Sequence, residues 1–141
     1  MKTTNSEVKP WGLATKPLLF ADRYVSVARA VRGGYCSVHR HVRHSNQFLM
    51  TGGRLLVELY GLADEPTDQP RTRIVLGNNG RITVPAIVWH RFVALEESFL
   101  FECYEGFGTY DIDRRSEGGI YLQMELDTLA RQLGASGETR A

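Results

Sequence analysis

"CSVHRHVRHSNQFLMTGG", residues 36–53, sets the reading of the whole chain, because His39, His41 and His44, three of the four histidines, fall inside it. Side chains at i and i+2 of a β-strand point to the same face. His39 and His41 therefore project together, roughly 6–7 Å apart for a strand that rises ~3.3 Å per residue. That separation lets two imidazoles meet one metal ion. Arg40 and Val42 take the opposite face, and the same parity puts Cys36 and Val38 with Arg40. His44 breaks the parity and reads as a loop residue. The competing reading is a solvated polar strand, since an isolated HxH is a weak motif.

The remaining histidine strengthens the metal reading. His90 sits in "VPAIVWHRF", 84–92, an apolar run entered through Pro85. A histidine among Val88, Trp89, Phe92 and Val93 is either a satisfied core residue or a ligand. Two ligand-bearing strands, each preceded by glycine or proline, suit a site inside a barrel.

Outward from these stretches the chain reads as short strands separated by turn residues: 24–31, 35–42, 47–50, 54–60, 72–76, 81–85, 87–95 and 98–106. Asn79-Gly80 is a tight-turn signal, and "GLADEPTDQP", 61–70, is a polar loop. No long helical period interrupts them, so the expected class is all-β, a sandwich or barrel. "YLQMELDTLARQL", 121–133, is the exception: Leu122, Leu126, Leu129 and Leu133 recur at helical spacing. The expected organisation is a flexible N-terminus over 1–9, a barrel over 10–119, a helix over 120–133 and a flexible tail over 134–141.

Composition narrows the class further. Of 141 residues 43% are hydrophobic and 23% charged, enough for one domain with a real core. A net charge of +1 with interleaved signs argues against a nucleic-acid or membrane-surface binder. No apolar run is long enough to span a bilayer, and "MKTTNSEVKPWG" carries no hydrophobic signal region, so a soluble cytoplasmic protein is expected. Cys36 and Cys103 form no CxxC and read as core thiols.

The ordered motifs resemble those of the cupins, small double-sheet β-barrels. Their first motif, G-x5-H-x-H-x3–4-E-x6-G, is matched by Gly33, His39, His41, Asn46 and Gly53. Their second, built on P-x-G-x2-H, is matched by Pro85 and His90, with Ile87 in place of the glycine. "KPWG", 9–12, His90-Arg91, Glu102, Gly106 and "YDIDRRSEGG", 110–119, are similar to the type II phosphomannose-isomerase-like cupin domains. The resemblance covers roughly residues 9–119 and implies a cupin double-stranded β-helix, or jelly roll, followed by the short C-terminal helix. It implies one divalent transition metal per barrel (zinc, nickel, manganese, cobalt or iron) held by His39, His41, His90 and the residue at position 46. The family's glutamate is replaced there by Asn46, with Gln47 beside it. Either amide offers a neutral carbonyl oxygen. Such a site binds metal more weakly and retains more positive charge than one with a carboxylate, or else it has decayed.

Strand parity places Leu100, Glu102 and Tyr104 on one face and Phe101 and Cys103 on the other. An inward Glu102 suits a general base that moves a proton between adjacent sugar carbons, beside a Lewis-acidic metal. The alternative for Glu102 is a buried partner for Arg114 or Arg54. Arg114, in the family's substrate-side segment, suits a bidentate grip on phosphate, against a surface pairing of Arg114 or Arg115 with Asp111 or Asp113. Tyr104 and Tyr110 suit stacking on a sugar ring or core packing, and Trp11 reads as a packing anchor.

Three functions follow. The first is a metal-binding cupin for a small polar, sugar or sugar-phosphate ligand, similar to mannose-6-phosphate isomerase. The second is a three-histidine iron oxygenase. The third is a non-enzymatic ligand-binding or dimerisation barrel with a degenerate site. A homodimer is expected from the exposed strand edges, the N-terminal arm and the helix.

Overall fold

The computed structural model describes residues 5–62, 68–136 and 139–140. The chain begins with strands β1 (Ser6–Lys9), β2 (Gly12–Thr15), β3 (Leu18–Phe20), β4 (Arg23–Ala30), β5 (Gly34–Tyr35) and β6 (His39–Arg40). It continues with β7 (His44–Gly52), β8 (Leu55–Gly61), β9 (Thr72–Leu76), β10 (Arg81–Val84), β11 (Trp89–Ala94) and β12 (Ser98–Gly106). It ends with β13 (Asp113–Arg114), β14 (Gly119–Ile120), helix α1 (Gln123–Ser136) and β15 (Thr139–Arg140). One sheet has the order β1-β2-β4-β12-β7-β10, with β3 also on β4. The other has the order β13-β6-β11-β8-β9-β15, with β5 on β11 and β14 on β5.

The alternation in sequence builds the space between the sheets. In β12, Ser98, Leu100, Glu102 and Tyr104 are buried while Phe99, Phe101 and Glu105 are exposed. Ala28, Phe48, Met50 and Leu100 of one sheet pack with Leu55, Val57, Leu76, Phe92 and Ala94 of the other. Each fully buried Val, Leu, Met or Phe among them contributes about 1.5–3 kcal/mol. Trp11 stands edge-on to Phe92, ring centroids 4.9 Å apart, and so packs as an anchor.

The second face of β8 and β11 is also covered. Leu56, Val75 and Val93 form a smaller core with Leu129 and Leu133 of α1. Burial on both faces explains why "LLVELY" is nearly continuous in apolar residues instead of alternating.

Several expectations need correction. Residues 6–9 are not a loose arm, because Ser6–Lys9 pairs with Gly12–Thr15; residues 1–4 lie outside the described residues. The stretch 35–42 is two short strands interrupted at 36–38, and the interruption resets the parity. Cys36 is consequently buried in the core, where its Sγ accepts a hydrogen bond from the Phe92 N–H (3.2 Å), and does not share the outer face with Arg40. Cys103 is only half-buried. His44 is not a loop residue: it opens β7 and is buried. The helix starts at Gln123, where the Glu125 carboxylate caps the Leu122 N–H (2.6 Å), so Leu122 precedes it and is 73% exposed. Within 134–141, Gly134–Ser136 finish the helix and Thr139–Arg140 pair in parallel with β9; residues 137, 138 and 141 lie outside the description, as do 63–67 of the polar loop. The Asn79-Gly80 turn joins one sheet to the other, with Asn79 at φ 64°. Among the described residues no helix is long and apolar enough to cross a membrane.

Candidate metal centre

Antiparallel pairing of β6 with β11 sets His39 directly opposite His90, with ring centroids 4.4 Å apart. His41 follows two residues later on the same face. One ring nitrogen from each of His39, His41 and His90 lies within 4.8 Å of the others. All three side chains are buried. His44, the remaining histidine, lies outside this cluster and hydrogen-bonds the Asp111 carboxylate through Nδ1 (2.7 Å).

His90 is delivered by a turn. Val88 N–H bonds back to the Pro85 carbonyl at 3.4 Å, and Ile87 adopts φ 65°. This is the third position of a four-residue turn, where a positive φ favours glycine. Ile87 therefore takes up the conformation for which the cupin motif carries a glycine, at the steric cost of a β-branched residue in the left-handed region.

The tautomers are fixed from behind. Nδ1–H of His39 donates to the Ser37 carbonyl (2.8 Å), that of His90 to the Val88 carbonyl (2.8 Å), and that of His41 to the Asp111 carbonyl (2.5 Å). With each Nδ1 carrying the proton, each Nε2 presents a lone pair. Burial holds all three rings below the usual histidine range, that of His90 at about 4, and the neighbouring imidazoles add to the effect at His39 and His90. His41 Nε2 is buried with no hydrogen-bond partner, which a neutral ring tolerates poorly unless another group completes it. Three neutral, convergent, back-anchored imidazoles are a donor set for a divalent transition metal, and the residues fit such an ion.

Position 46 departs from the family pattern in a specific way. Asn46 faces inward and is buried, whereas Gln47 faces out and bonds Thr83 (3.4 Å). The Asn46 amide donates to His90 Nε2 and to Glu102 Oε2, both at 3.3 Å, while its Oδ1 has no partner. Glu102 comes from β12, the strand beside β7. A carboxylate thus reaches Asn46 from the neighbouring strand. Tyr104 donates a short hydrogen bond to Glu102. Burial raises the Glu102 carboxyl, partly offset by the Tyr104 and Asn46 donors, and raises the Tyr104 phenol well above its usual range. Glu102 is paired with neither Arg114 nor Arg54 among the described residues.

A cavity of about 440 Å³ opens on this assembly, lined among others by His39, Glu102, Tyr104, Tyr110, Lys9 and Arg114. Arg114 is exposed; Asp113 pairs with Arg40 (3.2 Å) and Asp111 with His44, and among the described residues neither is seen to pair with Arg114. Tyr104 and Tyr110 meet edge-on, centroids 5.0 Å apart, on the cavity wall. Sequence reasoning missed Asp111, whose backbone carbonyl holds His41 and whose side chain holds His44. Nothing in "YDID" distinguishes it from a surface acid until β13 is laid beside β6.

No protein-family model matches the chain, and no curated protein matches it by sequence. Solved structures do match. The coconut allergen cocosin superposes with a TM-score of 0.63 at 17% identity over 78% of this chain and 30% of that one. KdgF from Halomonas sp. gives a TM-score of 0.58 at 22% identity over 72% and 84% of the two chains. Oxalate oxidase in complex with the substrate analogue glycolate gives 0.57 at 17% identity over 66% and 46%. The fold is that of the cupins. The chain spans under a third of the cocosin chain but most of KdgF. An allergen and an oxidase on one fold leave the activity to be argued from the site.

Proposed function

We propose that this cupin is a metal-dependent enzyme for a small polar ligand, a sugar or sugar phosphate, and that it moves a proton between adjacent carbons in the manner of mannose-6-phosphate isomerase. The observation that carries the reading is that His39 of the three-imidazole cluster and the Glu102 carboxyl line one cavity, and that the hydrogen bonds to Glu102 among the described residues come from the neutral Asn46 and Tyr104. The cavity volume lies in the small-molecule range of about 300–1,000 Å³. Lys9 and Arg114 suit the anionic group, and Ser37, Tyr104 and Tyr110 suit hydroxyls.

His39, His41 and His90 would hold a divalent ion, which when bound would supply Lewis-acid polarisation of a carbonyl. The chain's own part is proton transfer. Glu102 takes the proton from the carbon beside the carbonyl and returns it to the former carbonyl carbon. The hydroxyl proton passes between the two oxygens, so the reaction is redox-neutral. Tyr104 and Asn46 hold the carboxyl in one orientation, and burial raises its affinity for a proton, the direction an acid–base role needs.

The test is elemental analysis of protein purified without chelator, then incubation with mannose 6-phosphate and related aldose and ketose phosphates in D2O. Proton NMR should show deuterium entering at the carbon beside the carbonyl. Glu102→Gln should abolish exchange and keep the metal. Metal-loaded wild type that exchanges none of these substrates overturns the isomerase reading. A second reading, an iron oxygenase, is favoured by the wholly neutral donor set with Asn46 in the glutamate position, which leaves coordination positions open. Ferrous loading under anaerobic conditions followed by substrate-dependent oxygen uptake decides for it.

A further inference from the structure

We infer that Asp111 and His44 are positioning residues that set the tautomer and aim of His41; this rests on the metal-site reading above. The three candidate ligands are anchored differently. His39 and His90 donate Nδ1–H to carbonyls two residues upstream on their own segments, Ser37 and Val88. Those anchors come with the local backbone. His41 instead donates to the carbonyl of Asp111, seventy residues away in sequence, so its orientation depends on a tertiary contact.

That contact is held by the Asp111 side chain. Oδ2 accepts the Val42 N–H (2.5 Å) and, more distantly, the Arg43 N–H (3.4 Å). Oδ1 accepts Nδ1–H of His44 (2.7 Å), which is 2% exposed and stands edge-on to Tyr24, centroids 5.8 Å apart. One aspartate therefore clamps both sides of His41: the backbone that follows it in sequence and the carbonyl behind its ring. The preceding residue, Tyr110, lies against the His41 ring (centroids 5.5 Å) and lines the cavity. A substrate wall and a candidate metal ligand share one anchor. Groups that fix a ligand imidazole from behind commonly change metal affinity 10–100-fold when removed.

Two readouts test this. In metal-free protein labelled with 15N-histidine, two-bond 1H–15N correlations report each ring's tautomer. Wild-type His41 should be the Nδ1–H form. Asp111→Ala and His44→Phe should shift it toward the Nε2–H form while His39 and His90 stay unchanged. His44→Asn, whose amide nitrogen can replace Nδ1, should restore the wild-type pattern. In parallel, cobalt(II) titration should show a dissociation constant raised about 10–100-fold in Asp111→Ala and close to wild type in His44→Asn. His41 remaining wholly Nδ1–H in both disruptive variants overturns the inference. If wild type binds no cobalt, the metal reading fails and the tautomer spectra still decide the positioning role. If Asp111→Ala loses its near-ultraviolet dichroism, the His44→Phe and His44→Asn pair decides it.

Discussion

Asn46 stands between His90 and Glu102, its amide nitrogen 3.3 Å from an acceptor on each. It joins the imidazole cluster to the carboxylate without adding charge. Replacing it tests which role matters. Asn46→Asp brings a second buried carboxyl against Glu102, and two such groups cannot both ionise cheaply. The metal-free variant should lose about 2 kcal/mol at neutral pH, in line with losing a buried donor and leaving its partner unsatisfied. A divalent ion should reverse the loss, because it neutralises the added charge. Thermal unfolding with chelator and with zinc checks this. A variant equally destabilised in both conditions would place Asn46 outside the metal's reach.

The histidine cluster predicts a pH dependence with a definite sign. The rings of His39, His41 and His90 hold protons less tightly folded than unfolded. Their contribution to stability is complete above the unfolded value near 6.5 and is lost as pH falls toward the folded value, about 4 for His90. For His90 alone the loss is roughly 3 kcal/mol at 1.36 kcal/mol per unit. Glu102 acts in the opposite sense: its raised carboxyl contributes stability below its unfolded value, lost as pH rises through the folded one. Three rings outweigh one carboxyl, so metal-free stability should rise from pH 4 to 6.5. Urea unfolding across this window measures the slope, and Glu102→Gln should steepen it. A flat profile would mean that the rings are solvated.

Ile87 offers a test of backbone strain. Its φ of 65° costs roughly 1–2 kcal/mol for an L-residue, and its side chain is 43% exposed, so little packing is at stake. Ile87→Gly removes the strain at a cost of about 0.5–1 kcal/mol in chain entropy. The variant should be more stable by about 0.5 kcal/mol and should keep its metal affinity, since the turn that delivers His90 is retained. Destabilisation beyond about 1 kcal/mol in urea titrations would show that Ile87 is needed for packing and not merely tolerated.

Much of this organisation is legible in the chain because period-two alternation is a direct record of which face is wet. That record places Glu102 and Tyr104 together on the inner face of β12, and it pairs His39 with His41. It fails at 36–38, where three residues of irregular backbone reset parity and bury Cys36, and at β8, where burial on both faces erases alternation. Asp111 was illegible for another reason. Its role depends on two segments seventy residues apart meeting, and an acid in a polar stretch looks the same whether it solvates a loop or clamps a ligand. His44 falls in the same class: it breaks the strand parity, yet the next strand begins with it.

The buried charge on the outer face of β8 gives the last test. Glu58 is 1% exposed and accepts hydrogen bonds from Arg91 Nε (2.6 Å), Arg73 Nε (3.1 Å) and the Tyr60 hydroxyl (3.0 Å). Arg91 also donates to the Tyr121 hydroxyl (2.8 Å), beside the start of α1. The network thus ties β8, β9 and β11 to the segment that leads into the helix. Removing the carboxylate leaves two guanidinium groups without their counter-charge, and breaking a buried pair costs about 3–5 kcal/mol. Here the arginine side chains are 18–20% exposed, so water meets part of the loss. Glu58→Gln should therefore cost about 2–4 kcal/mol. Asp22→Ala removes one of the two solvent-exposed partners of Arg23 and should stay within about 0.5 kcal/mol. Because the network lies on the far side of the sheet from the imidazoles, Glu58→Gln should leave cobalt affinity unchanged in the folded fraction. A large change in affinity would mean that the helix side of the sheet governs the position of His90, which lies next to Arg91 on β11.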